Sequence, residues 1–253
     1  MVIKWDVTVP PLTGEKTRRG YVYLPESYDR EPQKRYPVLY MFDGHNVFFD
    51  EDATFGKSWG MKAYLDKNPR DLIVVGIECN NEGWHRLSEY SPVDFAFTME
   101  KAVFIKGDGK IYMDWLVGTL KPYIDATYRT IPDREHTAIG GSSMGGLMSL
   151  YAVCYYNTVF QRAAALSPSL WVNKEATLEL LKASEPDPDT VIYMDYGSEE
   201  LSNHPGNPEI LRAAVEILLQ KQLQLTFRMV PGGSHCEASW EKQIPIFMQC
   251  LFL

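Results

Sequence analysis

One segment of the sequence combines residue types and spacing that suit nucleophilic catalysis. Residues 141–145 read Gly-Ser-Ser-Met-Gly, between a short apolar stretch at 136–140 and a stretch with helical character. This G-x-S-x-G pattern in a strand–turn–helix context is typical of a nucleophile elbow. The serine of such a turn stands on a sharp bend, so the positions two residues before and after it must be small. Gly141 and Gly145 meet this requirement around Ser143, which is the predicted nucleophile.

A serine hydroxyl is a weak nucleophile until a base takes its proton. His235 follows a predicted strand at 226–230 through Pro-Gly-Gly-Ser, a loop that can fold back over the edge of a sheet. Of the other four histidines, two precede Ser143, one opens the serine's own strand, and one lies in a turn with Pro and Gly. We therefore expect His235 to be the base. The histidines set aside are His45, His85, His136 and His204.

The acid of a serine triad on this type of turn lies between the serine and the histidine, just after a strand. A predicted strand at 191–196 is followed by Gly-Ser and then by Glu199 and Glu200, whereas Asp195 falls within the strand itself. A carboxylate there orients the imidazole and stabilises the imidazolium. The residues alone leave Glu199 and Glu200 both open.

Stabilisation of a tetrahedral oxyanion needs two backbone N–H groups. The residue after the nucleophile, Met144, is expected to supply the first. The loop after the third predicted strand is expected to supply the second, because Gly44 lets the backbone turn toward the serine and makes the N–H of His45 the candidate. This chemistry implies no metal and no organic cofactor.

The elements that must position these residues alternate along the chain, which favours an α/β fold with a mostly parallel, eight-stranded sheet and helices on both faces. The first two strands carry charges and predict an antiparallel edge. Residues 80–109 predict a long, aromatic loop over the reactive edge of one domain spanning 1–253. The predicted strands are 4–9, 18–24, 37–42, 72–78, 136–140, 162–166, 191–196 and 226–230, and the predicted helices are 59–68, 111–128, 145–157, 174–183, 208–220 and 236–251.

The composition excludes several classes of protein. The 253 residues include 25 basic and 33 acidic ones, a net charge of −8 that argues against nucleic-acid binding. The four cysteines form no C-x-x-C pair and are expected to be buried thiols in a reducing compartment. No apolar stretch is long enough to span a membrane and no leader sequence is visible, so we expect a cytoplasmic protein. The sequence is compatible with either a monomer or a homodimer.

Several segments together resemble one known family, the putative-esterase branch of the α/β hydrolases, which includes enterochelin (siderophore) esterases, S-formylglutathione hydrolase, feruloyl and acetyl-xylan esterases and mycolyltransferases. The resemblance implies a compact α/β-hydrolase fold without a large lid domain. It also implies that the acid is Glu200, the fourth residue of G-[ST]-x-[ED], and that His45 N–H, after the glycine of D-G-x, is the second oxyanion donor. The matching segments are D-G-x-N at 43–46, L-x-P-x-I-D at 120–125, Y-R-T at 128–130, the elbow at 140–147, Gly-Ser-Glu-Glu at 197–200 and G-x-H-x-x-x-x-W at 233–240.

We therefore expect a serine carboxylesterase that acts on small or medium acyl esters. Trp171, in a segment that also resembles the family, is expected to wall the acyl pocket, with core packing as the alternative. Three other functions stay open: hydrolysis of a siderophore trilactone, for which Arg86 is the candidate pocket cation, acyl transfer to a sugar, and a non-catalytic binding protein with the same fold. The negative net charge weighs against an anionic substrate.

Overall fold

The computed structural model describes residues 1–98, 102–203 and 207–252. Within these ranges, eight strands form one sheet in the order β1-β2-β4-β3-β7-β8-β9-β10, and β5 and β6 form a separate hairpin. The strands are β1 (Val2–Thr8), β2 (Thr17–Tyr23), β3 (Val38–Met41), β4 (Ile73–Ile77), β5 (Phe95–Thr98), β6 (Ala102–Ile105), β7 (Thr137–Ser142), β8 (Arg162–Leu166), β9 (Val191–Gly197) and β10 (Gln224–Val230).

Helices connect the strands and cover both faces of the sheet. They are α1 (Pro10–Thr13), α2 (Ser27–Arg30), α3 (Met61–Lys67), α4 (His85–Glu89), α5 (Gly109–Trp115), α6 (Lys121–Thr127), α7 (Met144–Tyr155), α8 (Lys174–Ala183), α9 (Ser198–Asn203), α10 (Asn207–Gln220), α11 (Glu237–Glu241) and α12 (Ile244–Phe252). Short 3₁₀ turns span Gly44–Asn46 and Arg134–His136, and a π-helical turn spans Leu116–Leu120. No helix in the described ranges combines the length and the apolarity needed to cross a membrane.

The pairing of the strands confirms the predicted α/β fold. The first two strands form the antiparallel edge, since β1 pairs antiparallel with β2 and β2 antiparallel with β4. Every other pairing in the large sheet is parallel. Successive residues of β3 alternate between two buried clusters, with Val38 and Tyr40 on one face and Leu39 and Met41 on the other. The inner parallel strands are therefore covered on both sides, as their apolar sequences predict, whereas β10 at the edge of the sheet has no buried residue.

Three predicted elements differ from the observed ones. The predicted helix at 111–128 is interrupted by the π turn, because Pro122 has no N–H to donate to the preceding turn. The predicted helix at 236–251 is two helices, α11 and α12, and Pro245 in the first turn of α12 cannot continue the earlier one. The segment at 80–109, called the insertion below, was expected as a long loop, and it contains α4 and the β5–β6 hairpin.

The topology brings the chemically active residues to one edge of the sheet. Strands β3, β7, β8, β9 and β10 are neighbours and parallel, so their carboxyl ends lie side by side. We call the segment at 42–48, which follows β3, the β3 loop, and the segment at 167–173, which follows β8, the β8 loop. Parallel sheets of this kind bind ligands at the carboxyl ends of their strands.

Candidate active site

Ser143 occupies a sharp turn between β7 and α7. Its backbone φ of 59° and ψ of −121° lie in a region that residues other than glycine rarely adopt. A Cβ placed on Gly141 would lie 3.0 Å from the carbonyl carbon of Gly145, and a Cβ on Gly145 would lie 2.8 Å from the Cβ of Phe42. The two glycines therefore let strand, helix and β3 loop approach one another, as the G-x-S-x-G pattern requires.

Glu200 and His235 form a hydrogen-bonded pair beside this turn. His235 Nδ1 lies 2.7 Å from Glu200 Oε2. Glu200 is only 4% exposed, whereas Glu199 is exposed, so the structure distinguishes the two glutamates that the residues alone left open. His204, one of the other histidines considered above, lies outside the described residues.

Glu200 and His235 meet because their two loops touch through backbone. A Cβ on Gly197 would lie 2.3 Å from the carbonyl oxygen of Gly233, and Glu199 N–H donates to that same oxygen at 3.0 Å. A side chain at position 197 would force the two loops apart. The close approach of these glycines is therefore what brings Glu200 within reach of His235.

Three hydrogen bonds hold the carboxylate of Glu200. Ser167 Oγ and Gly197 N–H donate to Oε1 at 2.7 and 2.9 Å, and His235 donates to Oε2. Burial raises the pKa of Glu200, but the hydrogen bonds from His235, Ser167 and Gly197 outweigh burial, so its pKa lies below its usual value. These contacts favour the ionised form of the Glu200 carboxyl.

The β8 loop joins the serine to the acid–base pair. Ser143 N–H donates to Leu166 O at 2.9 Å, and Ser169 N–H donates to Ser143 O at 3.0 Å. In the part of the chain that the structure describes, the side-chain hydrogen bond of Ser143 Oγ is with Ser169 Oγ, at 3.2 Å. The ring of His235 is hydrogen-bonded to Glu200 rather than to Ser143. Ser167 and Ser169 thus contact opposite halves of the site.

The two expected oxyanion donors lie at the start of α7 and in the β3 loop. Met144 is the first residue of α7, and His45 is in the 3₁₀ turn that begins at Gly44. A Cβ on Gly44 would lie 2.4 Å from the carbonyl carbon of Gly76, so the β3 loop packs directly on the backbone of β4. Among the described residues, neither the Met144 nor the His45 backbone N–H has a hydrogen-bond acceptor within the chain.

Arg86 of the insertion is paired with Asp43 of the β3 loop. Its Nε and Nη2 donate to the two carboxylate oxygens, each at 2.7 Å. Burial raises the pKa of Asp43, but the charge and hydrogen bonds of Arg86 outweigh burial, and the pKa lies below its usual value. The guanidinium that the sequence suggested as a pocket cation is therefore already neutralised by a neighbouring side chain.

Trp171 of the β8 loop lies against the insertion. The residue is 39% exposed, and its ring centroid lies 5.9 Å from that of Phe95 at an interplanar angle of 82°. Phe95 stacks on Phe97 at 6.0 Å, and Phe97 meets Trp84 edge-on at 5.1 Å. Asn173 Nδ2 also donates to Asp94 O at 2.8 Å. The insertion and the β8 loop thus form a continuous aromatic wall, defined by these four rings.

Three buried side chains have the types that bind metal ions. The ligand atoms of Asp43, His45 and Cys79 all lie within 4.8 Å of one another. Both oxygens of Asp43 already accept from Arg86. Burial, followed by the nearby charge of Asp43, raises the pKa of the Cys79 thiol, and only a thiolate is a good ligand. The chemistry of this cluster favours internal hydrogen bonding over metal binding.

Comparison with known proteins defines the family. The family model described as "Putative esterase" matches residues 13–248. The chain belongs to this esterase family. The match confirms the resemblance inferred from the sequence motifs, and it makes the protein a hydrolase that acts on ester bonds.

Individual relatives of this esterase are distant. It is 28% identical over 184 residues to the uncharacterised protein YbbA of Bacillus subtilis (strain 168), covering 72% of this chain and 69% of YbbA. It is 29% identical over 136 residues to the esterase Rv1288 of Mycobacterium tuberculosis (strain ATCC 25618 / H37Rv), covering 53% of this chain but only 26% of that protein. The structure of an IroE-like serine hydrolase from Shewanella oneidensis superposes with a TM-score of 0.75 at 20% identity, covering 99% of this chain and 78% of that one. The last similarity shows that the fold is shared.

Four further residues of the site lie in segments that resemble the family but have no role predicted from the sequence. Ser167 and Ser169 lie in the same segment as Trp171, and Asp43 and Trp240 lie in the D-G-x-N and G-x-H-x-x-x-x-W patterns. Their contacts with Glu200, Ser143, Arg86 and His235 emerge only from the fold.

Proposed function

We propose that this esterase is a serine carboxylesterase that hydrolyses small or medium acyl esters through an acyl-enzyme intermediate. The observation that supports it best is the 2.7 Å bond between His235 and Glu200, at the same sheet edge as the strained turn of Ser143. Nucleophile, acid and base follow β7, β9 and β10, which is the chain order that triads on this type of turn require.

The reaction begins when the hydroxyl of Ser143 turns from Ser169 to Nε2 of His235. The serine oxygen attacks the ester carbonyl carbon while His235 accepts the serine proton and becomes an imidazolium paired with Glu200. The carbonyl oxygen becomes an oxyanion that accepts hydrogen bonds from the N–H groups of Met144 and His45. Because Met144 begins α7, the positive end of the helix dipole also faces this charge.

Collapse of the tetrahedral intermediate breaks the bond to the alcohol. His235 returns its proton to the departing alkoxide, and the acyl group remains on Ser143. A water molecule then attacks the acyl carbon while His235 accepts a proton from it. The second collapse breaks the bond between the acyl carbon and the Ser143 oxygen, which takes the proton from His235, and it releases the carboxylic acid.

The test compares hydrolysis of p-nitrophenyl acetate and butyrate by the wild type, Ser143→Ala and Ser142→Ala. Ser142 is the matched control, since it is the adjacent serine of the same turn but lacks the glycine spacing. We expect activity to be lost in Ser143→Ala and retained in Ser142→Ala. Equal rates for wild type and Ser143→Ala contradict the proposal, and failure of a fluorophosphonate probe to label the wild type favours a non-catalytic binding protein.

The proposal also assigns the part of the molecule that selects among ester substrates. We infer one catalytic domain whose insertion, together with Trp171, sets the acyl preference. Hydrolysis of an anionic siderophore trilactone is disfavoured because Arg86 is paired with Asp43. A panel of a siderophore, a feruloyl sugar and an acetylated sugar tests this, and product analysis with excess acceptor alcohol detects acyl transfer.

The four free cysteines support a cytoplasmic enzyme.

A further inference from the structure

The side chain of Trp240 contacts His235 directly and Glu200 through the hydroxyl of Ser167. Its Nε1–H donates a hydrogen bond of 3.0 Å to Ser167 Oγ, and its ring lies 5.0 Å from the imidazole of His235 at an angle of 82°. Ser167 Oγ in turn donates to Glu200 Oε1 at 2.7 Å. An indole, a hydroxyl, a carboxylate and an imidazole thus form a closed ring of contacts.

The chemistry of the indole fixes the direction of these hydrogen bonds. An indole N–H can only donate, so the oxygen of Ser167 must accept from Trp240. The Ser167 proton is then directed to Glu200 Oε1, which also accepts from Gly197 N–H. Oε2 is left for Nδ1–H of His235. An imidazole with its proton on Nδ1 has a free Nε2, the form that can accept a proton from a serine.

The two residues that precede Glu200 in this chain of bonds, Trp240 and Ser167, are both held by the fold. Trp240 is 6% exposed and its ring lies 6.0 Å from that of Trp59 in the core. Ser167 has a left-handed backbone with φ of 43°, and its N–H donates to Asp195 O at 3.0 Å. Because both side chains are buried and held in this way, the pair can determine where Glu200 lies.

We propose that Trp240, acting through Ser167, is a positioning residue that fixes the carboxylate rotamer of Glu200 and thereby the tautomer of His235. This inference rests on the proposed function, because it concerns residues that act on the proposed acid and base. It assigns to the tryptophan of the G-x-H-x-x-x-x-W segment a task beyond core packing.

The test uses two variants that each interrupt this chain of hydrogen bonds, and a matched control. Trp240→Phe keeps an aromatic ring and removes the N–H, and Ser167→Gly removes the hydroxyl while tolerating the left-handed backbone. Trp59→Phe makes the same change in the neighbouring indole. For p-nitrophenyl acetate we expect kcat to fall roughly 10- to 100-fold in each test variant, the equivalent of the hydrogen bond to the Glu200 carboxylate, which Ser167→Gly removes and Trp240→Phe leaves undirected. KM is expected to stay within about twofold, and Trp59→Phe to resemble wild type.

The double variant Trp240→Phe/Ser167→Gly decides whether the two residues act together. Both changes remove the same chain of bonds, so we expect the double variant to be no slower than the slower single variant. The inference would be overturned if the losses in kcat of the two single variants multiplied in the double variant. It would also be overturned if Trp240→Phe were as active as Trp59→Phe.

A spectroscopic measurement separates this inference from the proposed function. The hydrogen-bonded Nδ1 proton of His235 is followed by proton NMR without turnover. We expect its resonance to shift or broaden in Trp240→Phe and Ser167→Gly and to be unchanged in Trp59→Phe. An unchanged resonance in Trp240→Phe contradicts the inference, whereas full esterase activity in Ser143→Ala contradicts only the proposed function.

Discussion

The guanidinium of Arg86 donates two hydrogen bonds of 2.7 Å to the carboxylate of Asp43, which directly precedes the glycine of the β3 loop. Asp43 has a left-handed backbone with φ of 54°, and its N–H donates to the hydroxyl of Tyr90 at 3.2 Å. The insertion therefore supplies two side chains that hold the loop presenting His45. Arg86 is placed to act on catalysis through the backbone of that loop.

Replacing Arg86 with methionine is expected to lower kcat even for the neutral ester p-nitrophenyl acetate. The change leaves the buried carboxylate of Asp43 without its charged partner and frees the β3 loop to move, at a cost of roughly 10- to 100-fold in rate. Lys106→Met, which removes an exposed cation of the same insertion, is the control and is expected to have little effect. A loss confined to anionic substrates would instead show that Arg86 binds substrate.

The two glutamates after β9 are expected to differ strongly. Glu200→Gln removes the charge that pairs with His235 and is expected to lower kcat/KM by about 10³- to 10⁴-fold, whereas the exposed Glu199→Gln is expected to stay near wild type. Kinetics of both variants on one p-nitrophenyl ester measure this. The opposite ranking would assign the acid to Glu199.

Asp195 is expected to make folding stability depend on pH. Burial raises the pKa of this carboxyl to about 6 from 3.8, so the folded protein holds its proton more tightly than the unfolded chain. The stability that it contributes is present below the unfolded pKa and is lost as the pH rises through the folded pKa. That loss amounts to about 3 kcal/mol for a shift of this size.

Asp195→Asn removes the titration while keeping an oxygen that accepts from the Tyr193 hydroxyl. Urea unfolding from about pH 4 to about pH 7.5 is expected to show the variant gaining stability relative to wild type as the pH rises. Asp6→Asn, at an exposed position of β1, is the control. A pH-independent difference between wild type and Asp195→Asn contradicts the assignment.

Trp171→Ala is expected to change acyl selectivity. Loss of this part of the aromatic wall removes apolar contact from bulky acyl groups, so kcat/KM for p-nitrophenyl butyrate is expected to fall about 10-fold more than for the acetate. Tyr123→Ala, an exposed aromatic on α6 that contacts Trp5, is the control. Equal changes for both esters would assign Trp171 to packing.

The fold could be predicted because its signals are local. Apolar runs such as those of β3 and β7 are covered on both faces, and alternation with helices requires parallel crossovers. The breaks at Pro122 and Pro245 also have a local cause, the missing proline N–H, although amphipathic spacing continues across both. The insertion was less predictable, because α4 and the β5–β6 hairpin are stabilised by contacts with distant segments such as the β8 loop.

The site was predictable where the task of one residue requires particular residues beside it. The sharp turn of Ser143 requires small residues two positions before and after it, and His235 requires a loop that can fold back over the edge of the sheet. The bonds of Ser167 to Trp240 and Glu200 join positions 73 and 33 residues apart, and nothing in the spacing of serines indicates them. Between Glu199 and Glu200 the residue types are identical, so the choice depends on which side chain the turn after Gly197 directs inward.

The backbone contact between Gly197 and Gly233 also limits how such an enzyme can diversify. A side chain on Gly197 would collide with the opposite chain, so the segments that present acid and base can only be exchanged as a matched set. The insertion meets the rest of the protein through side chains and through single bonds such as Asn173 to Asp94. Recombination among relatives can therefore exchange the parts of the insertion that do not hold the β3 loop, whereas Arg86 and Tyr90 must be inherited together with that loop.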